Sequence, residues 1–231
     1  MDLYVGTSGF SYPKWKGHFY PEKLKNAEML TYYGSQLPAV EINNTFYRLP
    51  KKEAMQAWAE QVPEHFRFSV KASRRITHFK RLKEAEEPLG FMLDSAAELK
   101  DRLGVVLFQL PPNFRRDDER LAAFLGALPK GTPTAFEFRH DSWLDDEVYA
   151  LLREHNAALV VADTDDKPAT LTPTADFGYL RLRGTEYDQK ALKQWVKEVQ
   201  ATDWRHAFVF FKHEDEGAGP RMAREFLELA G

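Results

Sequence analysis

Eight short runs of apolar and β-branched residues punctuate this chain, at 3–6, 39–47, 67–71, 105–110, 135–139, 159–163, 179–184 and 208–212. Most are followed by a segment with apolar residues at helical spacing. Met29, Leu30, Tyr33 and Leu37 follow the first, and Met55, Trp58 and Val62 the second. Met92, Ala96, Leu99 and Leu103 follow the third, and Leu121, Phe124, Leu125 and Leu128 the fourth. Val148, Leu151 and Leu152 follow the fifth, Leu192, Trp195, Val196 and Val199 the seventh, and Met222, Phe226 and Leu229 the eighth. Parallel strands need such a crossover, and the helix is its usual form. Eight units in 231 residues predict an α/β chain, a (β/α)8 barrel in one domain over 1–231. A doubly wound open sheet is the rival, but it has fewer strands and a Gly-rich first turn, and no G-x-G-x-x-G follows the first run. The rhythm falters once. Residues 164–176 hold Pro168 and Pro173 and no helical face, so the sixth helix is predicted to be reduced or missing.

The run at 39–47 is an anomaly within this plan. Side chains alternate along a strand, so Val40 and Ile42 face one way while Glu41 and Asn43 face the other. An enclosed carboxylate is costly without partners. Other runs carry polar residues at the same end: Lys71, Gln109, Glu137 with Arg139, Asp163, Arg181 with Arg183, and Lys212. In a barrel those ends carry the loops that build active sites. The convergence has two readings, a charge-balanced plug of ion pairs inside the barrel or a ligand site at its mouth, and the second is favoured here. Glu41, Glu137 and Asp163 are the candidates for acid and base work. Basic neighbours would hold them ionised and so favour roles as orienters. Retaining glycosidases of this fold place carboxylates after strands four and seven. Gln109, Arg181 and Arg183 stand there instead, which argues against that mechanism.

Other chemistries are narrowed by composition. There is no cysteine, which excludes disulfides, thiolate nucleophiles and Cys-ligated metal centres, and is in keeping with a reducing cytoplasm. The net charge of −3 gives no whole-chain attraction to nucleic acid or membrane. No signal peptide is expected, and no apolar run approaches the ~18 residues of a membrane span. His78, His140 and His213 each follow a strand and could meet Glu41, Glu137 or Asp163 around a divalent metal, but no metal-ligand spacing supports this and no cofactor is required. Phosphate has a better case, because barrels often hold it after strands seven and eight. Arg181, Arg183, Gly184, Lys212, Gly217 and Gly219 lie there, opposed by Glu214, Asp215 and Glu216. A basic loop at 74–83 interleaves five Lys/Arg with Ile76, Phe79 and Leu82, either as a solvated lid or as a clamp for a phosphate chain or nucleic-acid backbone. Trp15 and Trp143 lie in loops and read either as packing or as platforms for a sugar or base.

Taken together, several stretches carry a family resemblance. Gly6-Thr7-Ser8-Gly9-Phe10-Ser11-Tyr12 with Trp15-Lys16-Gly17 and Phe19-Tyr20-Pro21 resembles the opening of the YecE-like family, known as domain of unknown function 72. Val40-Glu41-Ile42-Asn43-Asn44-Thr45-Phe46-Tyr47, Phe68-Ser69-Val70-Lys71-Ala72 with Thr77-His78, and Leu107-Phe108-Gln109-Leu110-Pro111-Pro112 continue it. So do Phe136-Glu137-Phe138-Arg139-His140 with Ser142-Trp143, and Tyr179-Leu180-Arg181-Leu182-Arg183-Gly184. The resemblance covers nearly the whole chain. It implies a TIM-type barrel and no particular reaction. Its recurrent motifs match Ser8, Glu41, Asn43, Lys71, His78, Gln109, Glu137, Arg139, Asp163, Arg181 and Arg183. One departure is that members commonly carry an Asn pair after the last strand, where this chain has Lys212-His213.

The expected function is an enzyme acting on a small anionic or polyhydroxylated, and in one form phosphorylated, substrate. Lys71, Arg139, Arg181 and Arg183 would orient the anion, with Lys212 and His78 near it. Glu41 or Glu137 would act as acid or base, and Asn43 and Gln109 as neutral hydrogen bonders. Two alternatives are nucleic-acid binding or metal-dependent phosphodiester processing through loop 74–83, and a non-catalytic metabolite sensor.

Overall fold

The structure, a computed structural model, describes residues 1–212 and 216–231. Eight parallel strands close into a barrel in sequence order: β1 (Asp2–Ser8), β2 (Ala39–Ile42), β3 (Arg67–Lys71), β4 (Leu103–Gln109), β5 (Thr134–Glu137), β6 (Ala158–Asp163), β7 (Phe177–Leu182) and β8 (His206–Phe211). Among the described residues seven α-helices surround it: α1 (Met29–Gln36), α2 (Lys52–Glu60), α3 (Glu86–Ala96), α4 (Asp118–Ala127), α5 (Asp146–Glu154), α6 (Gln189–Gln200) and α7 (Ala218–Ala230). Among the described residues no helix lies between β6 and β7, where Pro168 and Pro173 interrupt the backbone donors a helix needs. No helix is long and apolar enough to cross a membrane among the described residues.

Local chemistry sets the helix starts. Asp117, Asp145 and Asp188 precede α4, α5 and α6, and their carboxylates accept from the backbone N–H groups of Arg120, Glu147 and Ala191. Each satisfies a donor that the first turn leaves unpaired. The apolar helix faces then pack on the outward residues of the strands. Val40, Ile42, Phe68, Val70, Leu180, Leu182, Val209 and Phe211 belong to one such cluster. Val106, Phe108 and Phe136 belong to another.

The inward residues form a separate core of Ala39, Val105, Leu107, Ala135, Ala158, Val160, Phe177, Tyr179, Phe208 and Phe210. This apolar floor fills the barrel as side-chain layers do in this fold. Small residues are required where the wall is tight. A Cβ on Gly6 would lie 1.8 Å from the carbonyl oxygen of Ala39, a backbone atom that cannot move aside.

The ladder between β5 and β6 is short. It pairs Ala135 with Ala158 and Phe136 with Leu159 and then stops. A cavity of about 620 Å³ lies along this seam, under the segment that replaces the sixth helix. Phe138, Leu144, Leu159 and Thr172 line it, and Glu137, Arg139 and Arg183 stand at its inner end.

Gly6→Ala is expected to destabilise the fold by about 3 kcal/mol, at the upper end of overpacking costs. The check is a lower denaturant midpoint at unchanged m-value.

Candidate functional site

Above the apolar floor, the last inward residue of β1 to β7 is polar or small, and only on β8 is it a large apolar one, Phe210. The register fixes this: Ser8 lies beside Glu41, Glu41 beside Ser69, and Gln109 beside Glu137. Arg181 lies between Ala162 and Phe210. Tyr179, two residues before Arg181, therefore points inward as well.

Arg181 spans the barrel. Its Nη2 donates to Glu41 Oε1 at 2.9 Å and its Nη1 to Glu137 Oε2 at 2.5 Å. All three side chains are at most 3% exposed. Glu41 Oε1 also accepts from Ser8 Oγ at 2.7 Å and from Asn43 Nδ2 at 2.9 Å, while Oε2 accepts from Tyr179 at 2.7 Å. Both oxygens are thus occupied. Glu137 Oε1 accepts from Arg139 Nε at 3.1 Å and Arg183 Nη2 at 3.0 Å.

Burial alone would raise the pKa of both carboxyls, but the guanidiniums reverse it. Arg181, with the hydroxyls of Ser8 and Tyr179, holds Glu41 below its ordinary value. Arg181, Arg183 and Arg139 hold Glu137 well below its own. Neither carboxyl carries a proton near neutrality, so neither serves as a proton donor. Burial works against the Arg181 charge too, but Glu41 and Glu137 raise its pKa beyond that of a free arginine.

Lys71 ends β3 on the inner side. Its Nζ donates to Gln109 Oε1 at 2.9 Å and sits 4.3 Å from the centroid of Phe46. Burial and then the charge of Arg181 pull its pKa down to about 8, against the opposing pull of Glu41 and Glu137. The His78 ring stands near-perpendicular to that of Phe46, with centroids 4.8 Å apart, and its Nδ1 lies 2.9 Å from Thr77 Oγ1. Burial, then Lys71 and Arg139, lower its pKa, so it is neutral at pH 7. His78 belongs to a π-helical turn, Arg75–Phe79, an irregularity often found at functional sites. At the rim, Asn43 Oδ1 and Arg183 Nε are buried polar atoms with no hydrogen-bond partner among the described residues.

Ser8, Glu41, Asn43, Lys71, Gln109, Glu137, Arg139, Arg181 and Arg183 are thus brought together, with His78 at the edge. Three sequence expectations change. Asp163 is not in the constellation. It pairs in register with Leu182, an outward residue, and its carboxylate accepts from Ala169 N at 3.0 Å and Tyr187 Oη at 2.6 Å. There it braces the segment after β6. Arg181 is too enclosed to touch an anion and works as a pillar between carboxylates. Lys212 follows β8 with an exposed side chain, and its backbone N–H donates to Leu182 O.

Among the described residues no group of three or more His, Asp or Glu is placed to hold a metal. His140 is engaged locally, with Nδ1 accepting from Ser142 N at 3.1 Å. His213, Glu214 and Asp215 lie outside the described residues. Gly217 packs beside His18 and Phe19 in the aromatic loop, apart from Arg181 and Arg183. Trp15 and Trp143 are fully buried. Trp143 stacks on Phe138 and donates from Nε1 to Phe114 O at 2.7 Å, so both tryptophans pack rather than offer platforms. Tyr179 and Phe46 were missed by sequence reasoning. Tyr179 was accessible from the period-two spacing of Tyr179, Arg181 and Arg183, whereas nothing in the sequence tied Phe46 to Lys71.

A closed eight-stranded barrel with a buried ion-pair network under a cationic rim defines the class of protein. A family model described as "Protein of unknown function DUF72" matches residues 4–231, and the chain belongs to that family. It is 25% identical to UPF0759 protein YunF of Bacillus subtilis over an alignment covering 98% of this chain and 94% of that protein. It is 32% identical to UPF0759 protein YecE of Escherichia coli K12 over 60% of this chain and 48% of YecE. Among solved structures, a DUF72 family protein of Thermotoga maritima superimposes with a TM-score of 0.86 at 29% identity, covering 99% of each chain. A DUF72 family protein of Enterococcus faecalis gives 0.80 at 22% identity, a likeness of fold.

Arg181→Met leaves two buried carboxylates without their bridge. Loss of one partner of such a pair costs about 3–5 kcal/mol. Two further outcomes concern pH. Glu41 and Glu137 have depressed pKa values when folded, so their contribution is complete above about pH 5 and lost as pH falls through the unfolded value of ~4.3 toward the folded ones. Denaturant midpoints measured between pH 7 and pH 3 are expected to fall steeply for the native chain. In an Arg181→Met background the fall is expected to be shallower, because Glu41 loses the one guanidinium that lowers its pKa, while Glu137 keeps Arg139 and Arg183.

Proposed function

We propose that the barrel mouth binds a small anionic substrate, carrying a phosphate or carboxylate, against Arg139 and Arg183. One observation carries this reading. Arg139, Arg183 and Arg181 all converge on the single carboxylate of Glu137, while Arg181 is shared with Glu41. Two carboxylates therefore meet three guanidiniums and the Lys71 ammonium, which leaves two positive charges uncompensated. Half-buried cations in excess need an anion, and a planar guanidinium suits a bidentate oxyanion. The free Arg183 Nε adds a donor, and Asn43 Oδ1 adds an acceptor for a substrate hydroxyl. The cavity at the β5–β6 seam gives the rest of the molecule room, with Thr164, Thr170 and Thr172 on its wall to meet a polyhydroxylated body. In this reading Glu41 and Glu137 hold the arginines in place and take no part in proton transfer.

Arg139→Ala and Arg183→Ala each leave Glu137 with two guanidinium partners, so the network should survive. Each is expected to weaken inorganic phosphate binding about tenfold, in line with about 1.5 kcal/mol for a charged hydrogen bond. Isothermal titration calorimetry checks this. Phosphate binding unchanged in both variants, or absent from the native chain, would sink the reading.

A second reading rests on Tyr47 and Phe79. Both rings are about 70% exposed, and the Arg74 guanidinium lies over both. Exposed aromatics beside arginine suit stacking on single-stranded nucleic acid. It predicts oligonucleotide binding that weakens with salt and is lost in a Tyr47→Ala, Phe79→Ala double variant. Binding indifferent to salt and to these changes would remove it.

A further inference from the structure

Lys71 differs from the other cations of the mouth. Each arginine there pairs with a carboxylate, whereas both of the polar or aromatic groups that hold Lys71 Nζ are neutral, the Gln109 amide oxygen and the Phe46 ring. Among the described residues Nζ makes no ion pair within 4.0 Å, because Glu41 and Glu137 are taken by Arg181, Arg139 and Arg183. A compact ammonium half-buried among guanidiniums is disfavoured. An amine in such a place is a nucleophile, and a lysine made reactive by burial beside another cation is a known route to imine chemistry.

We propose that Lys71 captures a carbonyl group, forming an imine with an aldehyde or ketone of the substrate whose anionic group rests on Arg139 and Arg183. This rests on the anion-binding reading above and adds the substrate class, a carbonyl compound bearing a phosphate or carboxylate. The Nζ lone pair forms the C–N bond while the carbonyl π pair moves to oxygen, which takes a proton as nitrogen loses one. The carbinolamine hydroxyl then takes a second proton and leaves as water, and the nitrogen lone pair completes a protonated C=N bond. His78 is the group placed to move these protons. It shares the Phe46 ring with Lys71, and its Nδ1 is engaged with Thr77 while its other ring nitrogen has no partner among the described residues. With a pKa of about 8 for Lys71, about a tenth of its amine is unprotonated at pH 7 and about half at pH 8. The resulting iminium draws electrons from the adjacent carbon, as carbon–carbon cleavage and isomerisation both require.

The test is borohydride trapping on the full chain at pH 8, with dihydroxyacetone phosphate and with dihydroxyacetone as probes, read by peptide mass mapping. The expected result is one reduced adduct on Lys71, at least tenfold above any other lysine, and at least tenfold more of it with the phosphorylated probe. Adducts spread evenly over surface lysines of the native chain, in a protein that binds inorganic phosphate by calorimetry, would overturn the role of Lys71 and leave the anion site standing. A Lys71-selective adduct formed equally from both probes would support the amine and overturn the anion site. Lys71→Arg keeps the charge and removes the nucleophile. It is expected to abolish the adduct while phosphate affinity stays within about twofold, and an adduct persisting at the same yield in this variant would overturn the proposal.

Discussion

The Arg181 guanidinium, held between Glu41 and Glu137 inside the barrel, is the interaction on which the rest of the mouth depends. Three charges removed from water carry a desolvation cost of several kcal/mol each, which only close geometry and full hydrogen bonding offset. The network meets most of that demand, with Arg181 Nε left without a partner among the described residues. Ser8, Asn43 and Tyr179 complete Glu41, while Arg139 and Arg183 complete Glu137. Its members come from β1, β2, β5 and β7 and from the residues just beyond those strands, so the network also ties distant parts of the barrel to one another. A network of this kind is weak evidence for stability but sets side-chain geometry closely.

The polar interior divides into two tiers. The lower, made by Ser8, Glu41, Glu137, Tyr179 and Arg181, is enclosed and largely saturated. The upper, made by Asn43, Lys71, His78, Arg139 and Arg183, is part-exposed and under-satisfied. The two sequence readings of the convergent polar residues, ion-pair plug and ligand site, therefore describe different depths of the same barrel. The lower tier is a plug of ion pairs in which Arg181 meets both carboxylates. The upper tier stays cationic because Glu137 is already shared among three arginines and no carboxylate pairs with Lys71 among the described residues.

Strand order and the missing sixth helix were legible in the sequence because they rest on local signals: alternation, helical spacing and two prolines. Most of the site was legible for the same reason, since period two places Glu41 with Asn43, Glu137 with Arg139, and Arg181 with Arg183 on one face. Asp163 shows the limit. It ends its strand as the others do, but the β6–β7 register makes Ala162 the inward residue. Register between strands is a long-range property, and a shift of one residue reverses every side chain. Roles were less legible than positions. Arg181 and Arg183 are equivalent in sequence, yet one is a fully buried pillar and the other a donor that keeps some exposure, a difference set by how far each lies below the rim. Phe46 became part of the site only through the turn after β2, which brings its ring under Lys71.

Gln109 gives the arrangement its chemical direction. It stands beside Glu137 in the β4–β5 register, at a strand end where a carboxylate would be within reach of Lys71. A carboxylate there would pair with Nζ, raise its pKa and turn it into another structural cation. The amide instead accepts one hydrogen bond from Nζ and contributes a hydrogen bond to Glu137 that helps keep that group ionised. A neutral residue at this one position thus separates the Lys71 amine from the carboxylates. The arginines, always protonated, cannot take part in proton transfer. In a site whose two carboxyls are locked ionised, the groups left to exchange protons are Lys71, with its pKa pulled down to about 8, and the His78 ring, held neutral beside it. Whatever proton chemistry the mouth performs must therefore pass through them or through the substrate itself.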